Sequence, residues 1–271
     1  PLDVDILRAS MKHIVQRHEI LRTTFLVREG ISYQNILHHY NEENVSILHF
    51  DESDANQWIR EILKRDRYSG FEMSQMPPWR MKLLVLGDAR TILYLNMHHI
   101  ISDAWSITIL FKELASIYTA LSTASELSVA LSPLPIQYAD YATWQRNTFQ
   151  GHWLEAEMRY WKQQLEGIPT ELSLPQQYPR PSELSYTGAT CRERLDSAEL
   201  RKLKAFGRKE GCSHFMVLLA AVQVVLQRYC NQHDIVIGSP VANRVHEEVE
   251  KLIGFFVNTV PLRIQSNDTD T

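Results

Sequence analysis

The sequence has few cysteines, no excess of basic charge and no apolar run long enough to span a bilayer. Its 28 lysines and arginines are outnumbered by 32 aspartates and glutamates, so it lacks the electrostatic footprint of a protein that binds nucleic acid or an anionic membrane. Cys191, Cys212 and Cys230 are odd in number and far apart, which excludes a disulfide framework and a CxxC metal pair. We expect a cytoplasmic protein without a signal peptide, a bound metal, a nucleic-acid partner or a membrane partner.

The composition is that of globular material. Hydrophobic residues make up 44% of the 271 residues and charged residues 22%, enough for one large or two modest domains. Residues 169–186 contain four prolines and no sustained period, which is typical of a connection between domains. We therefore divide the chain into one lobe at 1–168, a crossover at 169–186 and a second lobe that starts at 187 and includes residues 187–271.

Local signals predict alternating helices and strands. Asp3 is a candidate N-cap for a helix that ends near residue 18, and Asp196 with Glu199 forms a capping-box pattern before another helix. A helix at 54–68 is expected to direct Trp58, Ile62 and Leu63 inward. Further predicted helices are 138–166 and one that begins after Ser213; predicted strands are 21–27, 31–37, 79–86, 91–97, 235–238 and 255–264.

The most informative stretch is 91–121, TILYLNMHHIISDAWSITILFKELASIYTAL. Its apolar, β-prone opening predicts a strand that ends near His98. From Trp105 onward the apolar residues recur at steps of three and four, which predicts an amphipathic helix. His98, His99 and Asp103 are therefore expected on a strand-to-helix turn, where rigid elements can fix the pose of polar side chains.

Each of these side chains also has an ordinary structural explanation. Histidine can accept a proton near neutral pH, but a histidine that only hydrogen-bonds its neighbours is common. An aspartate before a helix is usually an N-cap. The pair His38 and His39, which has no downstream Asp or Trp-Ser, shows that two adjacent histidines alone carry little information.

Taken whole, HHIISDAWS resembles the HHxxxDGWS motif of nonribosomal peptide synthetase condensation domains, members of the chloramphenicol acetyltransferase-like superfamily. Four more stretches match recurrent segments of that family in order: RHEILRTTF at 17–25, YADYATW at 138–144, IGSPVANR at 237–244 and IGFFVNT at 253–259. The resemblance implies an α/β fold of two-layer sandwich lobes, with the first lobe nearly complete and the second begun. It also implies further domain sequence before residue 1 and after residue 271.

The resemblance implies amide-bond formation by aminolysis of a thioester. Donor acyl and acceptor aminoacyl groups would arrive on phosphopantetheine arms of upstream and downstream peptidyl carrier domains, beside an adenylation domain, with no permanently bound cofactor. By the family pattern His99 accepts the amine proton or positions the amine and the developing oxyanion. His98 would face the other way and support the loop, and Asp103 would anchor it.

The motif also implies supporting residues. An arginine of the RHEILRTTF segment is expected to support the site by salt bridging, with Arg22 preferred to Arg17 and Asp103 as its hypothetical partner. Trp105, Ser106 and Asn258 belong to the matched motifs. Ala104 replaces the family's glycine; it is harmless if residue 104 is the first helical position and strained if that position needs positive φ. The Ala242-Asn243-Arg244 pattern resembles the corresponding pattern of condensation domains that take an L-configured donor.

Other functions remain open at this point. Epimerization domains share HHxxxD but differ after it, because Ser precedes Trp there and Trp105 precedes Ser106 here. Cyclization domains have aspartates in place of the histidine pair. A coenzyme A-dependent acyltransferase would share the fold, and a non-catalytic module that only docks carrier domains would share the motifs. Dipeptide formation from loaded carriers, with His99→Ala as control, distinguishes these classes.

Overall fold

The computed structural model describes residues 2–39, 42–50, 55–87, 90–125, 131–179, 181–185 and 188–267. They form two compact units: Pro1–Leu154 with Pro240–Asn258, and Glu155–Ser239 with Thr259–Thr271. The prediction of lobes at 1–168 and 187–271 with a crossover at 169–186 stays a prediction. Residues 88 and 89, between the strands predicted at 79–86 and 91–97, lie outside the described residues.

The first unit contains a hairpin, a three-stranded sheet and packed helices. Strands β1 and β2 pair in antiparallel fashion, while β4 lies between a parallel β3 and an antiparallel β5. The elements are α1 (Val4–Arg17), β1 (Thr23–Arg28), β2 (Ile31–Ile36), β3 (Val45–Phe50), α2 (Ala55–Tyr68), β4 (Trp79–Leu86), β5 (Arg90–Met97), α3 (Ala104–Ser122) and α4 (Tyr138–Thr148).

The other elements of the described residues follow α4 in the sequence. They are α5 (Gly151–Gln164), α6 (Ser197–Lys209), α7 (His214–Cys230), β6 (Asp234–Val241), α8 (Glu247–Glu250) and β7 (Asn258–Gln265). Strands β6 and β7 form a two-stranded sheet. In the described part of the chain, no single helix is long and apolar enough to cross a membrane. Helices α6 and α7, with an angle of 102° between them, reach that length and apolar composition only when they are counted as a pair.

The core of the first unit lies where α1 and α3 pack on the central strand β4. Apolar residues at helical spacing on α1 and alternating residues of β4 meet there: Leu7, Met11, Ile14, Val15, Trp79, Met81, Leu83, Leu110, Leu114 and Ile117. Trp79 is fully buried, and its indole N–H donates to the carbonyl of Leu21 at 2.7 Å. A rigid core therefore lies directly beneath the strand that leads to His98.

Two predicted features are wrong in detail. Trp58 is 60% exposed, and the neighbouring Ile59 is a buried apolar residue of α2, at 7%. Adjacent residues of a helix point about 100° apart. The face of α2 that packs inward is therefore centred nearer to Ile59 than to Trp58. The helix predicted at 138–166 breaks after Thr148 and resumes at Gly151, which has the positive φ of 55° that glycine adopts without strain.

A buried ion cluster ties α1 to α3. The Glu113 carboxylate accepts from Arg17 Nε at 3.0 Å and lies 2.8 Å from Nε2 of the fully buried His18. Burial acts to raise the pKa of Glu113, but hydrogen bonds and charge from His18 and Arg17 outweigh it and hold the pKa below its ordinary value. Arg17, which would most simply be a solvated helix-end arginine, is therefore an internal ion-pair partner.

We expect Glu113→Gln to lower the free energy of unfolding by about 3 kcal/mol at pH 7, because it leaves the largely buried Arg17 guanidinium without its carboxylate partner. The folded pKa lies below the unfolded value of about 4.3, so the carboxylate stabilises the protein above that value and the contribution is lost as pH falls through the folded pKa. The difference between wild type and variant should therefore shrink below about pH 4. Urea unfolding between pH 7 and 3 measures it; a constant difference would contradict this.

Candidate active site

The histidine segment lies on the predicted strand-to-helix turn. Strand β5 ends at Met97, and the His98 N–H donates to the carbonyl of Pro78 at 2.9 Å. A short 3-10 turn covers His99–Ile101, and Asp103 then caps α3. Both ends of the loop are thus fixed to regular elements.

The His98 ring is engaged with its own loop. Its Nδ1 accepts the backbone N–H of Ile100 at 3.0 Å, which caps the 3-10 turn. The edge of the ring also meets Phe71, with centroids 6.3 Å apart. Because one nitrogen is committed to the backbone, these contacts suit a residue that shapes the turn.

The His99 ring meets a different aromatic side chain. Its centroid lies 5.0 Å from that of Phe255 in an edge-to-face contact, and the side chain is exposed. Within the described ranges, no hydrogen bond or ion pair engages either ring nitrogen. The imidazole is therefore positioned by packing while its nitrogens can reach a ligand.

Asp103 is the buried anchor of the loop. Its carboxylate accepts the N–H of Ser106 at 2.7 Å and the N–H of Phe256 at 3.1 Å, and the Ser106 hydroxyl oxygen also lies 2.7 Å away. Arg244 Nη2 lies 3.3 and 3.4 Å from its two oxygens. Burial acts to raise the pKa of Asp103, but the Ser106 and Phe256 hydrogen bonds and the Arg244 charge hold it below its ordinary value.

Arg244 is the functional residue that the sequence analysis did not assign to this network. Its side chain is 1% exposed; Nη1 donates to the carbonyls of Val249 and Leu252, and the guanidinium stacks over Phe256 at 3.9 Å. Burial lowers its pKa from the ordinary value, an effect that Asp103 opposes. A charged residue inside the matched VANR segment was the available signal, but the sequence did not indicate its partner.

The predicted pairing of Arg22 with Asp103 is wrong. Arg22 donates to the carbonyl of Leu37 at 2.6 Å and to the Glu19 carboxylate at 3.1 Å, so it ties the turn after α1 to the hairpin. Arg244 supplies the cation at Asp103 instead. The arginines of RHEILRTTF thus stabilise the framework beside the site.

Ser106 joins the aspartate to a second segment of the same unit. Its buried hydroxyl lies 2.7 Å from the Asp103 carboxylate and 2.8 Å from the Gly254 carbonyl, to one of which it donates. It accepts from the Gly254 N–H and from Arg244, both at 3.0 Å. Trp105, 46% exposed, donates its indole N–H to the carbonyl of Glu250 at 3.0 Å. The loop and residues 250–256 therefore form one hydrogen-bonded assembly.

Gly254 allows that segment to approach α4 closely. A Cβ at this position would overlap the ring of Tyr138, whose hydroxyl donates to the carbonyl of Phe255 at 2.9 Å. Burial raises the pKa of Tyr138 to about 12, so it donates at neutral pH. Asn258 follows as the first residue of β7. In the described residues, no three His, Cys, Asp or Glu side chains are grouped as metal ligands.

Ala104 is the first residue of α3, and its φ is not positive. Alanine is favourable in a helix, so the glycine of the motif is not needed here. We expect Ala104→Gly to lower the free energy of unfolding by up to about 1 kcal/mol and to leave catalysis unchanged. A rise in rate by orders of magnitude in the variant would show that the loop is strained.

A family model described as "Condensation domain" matches residues 1–271. The chain belongs to the condensation-domain family. Malpibaldin synthetase of Mortierella alpina is 40% identical over 266 residues, which are 97% of this chain and 5% of that protein. Enniatin synthase of Fusarium equiseti is 38% identical over 272 residues, 100% of this chain and 8% of that protein. The chain is thus similar to a small part of each of these relatives.

Solved structures confirm the fold class of this condensation domain. The X-domain from teicoplanin biosynthesis superposes with a TM-score of 0.84 at 28% identity, covering 97% of this chain and 58% of that one. The epimerization domain from the third module of tyrocidine synthetase B gives a TM-score of 0.82 at 20% identity, over 97% and 59%. The fold is chloramphenicol acetyltransferase-like, and the chain spans less than two thirds of each neighbour.

Proposed function

We propose that this condensation domain forms an amide bond between a donor acyl or peptidyl thioester and an acceptor aminoacyl thioester. The observation that carries the proposal is the placement of His99. Its ring is exposed just after the end of β5, four residues before a buried, charge-paired aspartate, and no hydrogen bond from the described part of the chain engages its nitrogens. An imidazole held in a fixed pose can take a proton from an attacking amine.

The reaction balances without an external reagent. The acceptor nitrogen attacks the thioester carbonyl carbon, the C–N bond forms, the C–S bond breaks, and the thiolate that leaves takes up the proton released by the amine. His99 either accepts that proton from the amine and passes it to the thiolate, or forms a hydrogen bond to the amine while the amine attacks. Sulfur is a good leaving group, so much of the rate enhancement comes from holding the two groups in register.

The other residues act through the loop. His98 caps the turn that carries His99, and Asp103 with Arg244 and Ser106 fixes the following helix to residues 250–256. These residues keep the imidazole within the narrow tolerance that catalysis demands. They are positioning residues, whereas His99 is the catalytic residue.

Both substrates would be delivered on phosphopantetheine arms of peptidyl carrier domains, with an adenylation domain supplying the acceptor amino acid. Support comes from the relatives, which are named as synthetases, one of them a nonribosomal cyclodepsipeptide synthetase. A carrier-bound substrate needs no permanently bound cofactor in this domain. We propose a cytoplasmic location, because three cysteines, odd in number and far apart in the sequence, suit a reducing compartment.

The full-length polypeptide that contains residues 1–271 tests the proposal. One carrier is loaded with an acyl donor and the next with an aminoacyl acceptor, and thioester-bound products are identified by mass spectrometry. We expect a dipeptidyl product on the acceptor carrier, absent from His99→Ala. Exchange of the Cα proton without a new amide would indicate an epimerase, equal use of free acyl-coenzyme A a coenzyme A-dependent acyltransferase, and carrier binding without product a docking module.

A further inference from the structure

An open groove of about 440 Å³ lies within the first unit, between the β1–β2 hairpin, the turn after His99 and α4. This volume falls in the range of small-molecule sites. Apolar side chains of all these elements contribute to the lining: Phe25, Tyr33, Ile36, Ile100, Ala142 and Phe255. No role in the mechanism above involves this space.

The groove is lined by two residues that adjoin His99. Phe255 lines it and also contacts the imidazole edge-to-face at 5.0 Å, and Ile100 follows His99 directly. The Tyr138 hydroxyl at the same end is committed to the Phe255 carbonyl. A group bound to the atoms that react at His99 therefore has an apolar space beside it.

One face of α4 sets the width of the groove. Ala139, Ala142, Thr143 and Arg146 recur at steps of three and four and all line it. The two alanines leave space that longer side chains would fill. Thr143 donates its hydroxyl to the Ala139 carbonyl at 2.9 Å, so that proton is not available to a ligand. Arg146, which is exposed, is the one charged residue of the described lining.

We propose that this groove accepts the apolar side chain of one of the two thioester-bound groups that meet at His99. The lining is mostly apolar, with Ser32, Gln34 and Arg146 among its polar members, and such a surface favours a hydrocarbon or aromatic group over the amide-rich pantetheine arm. The groove is thus a side-chain specificity pocket, and Ala142 is its size-determining residue. The assignment rests on the proposed condensation activity.

Filling the groove tests the assignment. In the full-length polypeptide, Ala142→Leu is compared with wild type using carriers loaded with alanyl, leucyl or phenylalanyl groups, varied first on the donor and then on the acceptor. We expect kcat/KM to fall about tenfold or more for the phenylalanyl group on one carrier. The alanyl group on that carrier should react at the wild-type rate. Tyr33→Ala, which enlarges the groove, should shift the preference toward larger side chains.

Asn147→Leu is the matched control, because it adds the same side chain to an exposed position of α4 that does not line the groove. It should leave the side-chain preference unchanged. An equal loss for all side chains in Ala142→Leu, or no change for any, would overturn the assignment. A wild-type polypeptide that forms no amide from any pair contradicts the proposed function itself, whereas normal wild-type activity with an unchanged preference contradicts only the groove.

Discussion

Replacing Arg244 by alanine is expected to lower the free energy of unfolding by about 3–5 kcal/mol, since it leaves the buried Asp103 carboxylate without its cation. The guanidinium is 1% exposed and also donates to the carbonyls of Val249 and Leu252. Its loss therefore removes hydrogen bonds as well as charge. Urea unfolding at pH 7, followed by tryptophan fluorescence, measures the change.

Two further variants separate the ion pair from a general effect of losing an arginine. Arg60→Ala removes an exposed arginine of α2 and should change stability by less than about 0.5 kcal/mol. Arg244→Lys keeps the charge but lacks the planar fork that reaches the carboxylate and two carbonyls, and should fall between wild type and Arg244→Ala. Mutations that break a buried ion pair usually cost several kcal/mol of unfolding free energy. A decrease of less than about 1 kcal/mol in Arg244→Ala would therefore refute the anchoring role.

Replacing His99 by alanine is expected to slow amide formation by roughly 10²–10⁴-fold, the usual contribution of a positioned acid or base. Stability should change little, because the side chain is exposed and makes no hydrogen bond within the described residues. The measurement is the single-turnover rate of product formation on the acceptor carrier. Single-turnover conditions keep product release from masking the chemical step.

His98→Ala is the natural comparison, because the two histidines are adjacent and both are exposed. It removes one hydrogen bond that caps the turn, so the rate should fall by less than about tenfold, the equivalent of a single such bond. Equal losses in the two variants would mean that the imidazole of His99 does nothing that a structural residue could not do.

Features set by neighbours in sequence were accessible without a structure. Asp103 and Asp196 are N-caps, as their positions before helical stripes predict. The strand-to-helix turn also lies where the change of period indicates. Capping and periodicity depend on residues within a few positions of one another, so one sequence contains the whole signal.

Features set by tertiary packing were not accessible. Asp103 and Arg244 are 141 positions apart. From charge alone, any of the 28 lysines and arginines was as good a candidate partner for Asp103 as Arg22. Strand β3, at Val45–Phe50, went unpredicted because its short apolar run has no hairpin partner nearby and pairs in parallel with β4. Register and partner choice there depend on the assembled sheet.

The most direct test of the account is a crystal structure of the full-length domain with an acceptor analogue whose thioester is replaced by an amide. We expect the α-amine of the bound aminoacyl group within about 3.2 Å of a His99 ring nitrogen, or linked to it by one water. An α-amine held by other side chains, with the imidazole out of reach even through a water, would contradict the assignment of His99 as the catalytic residue.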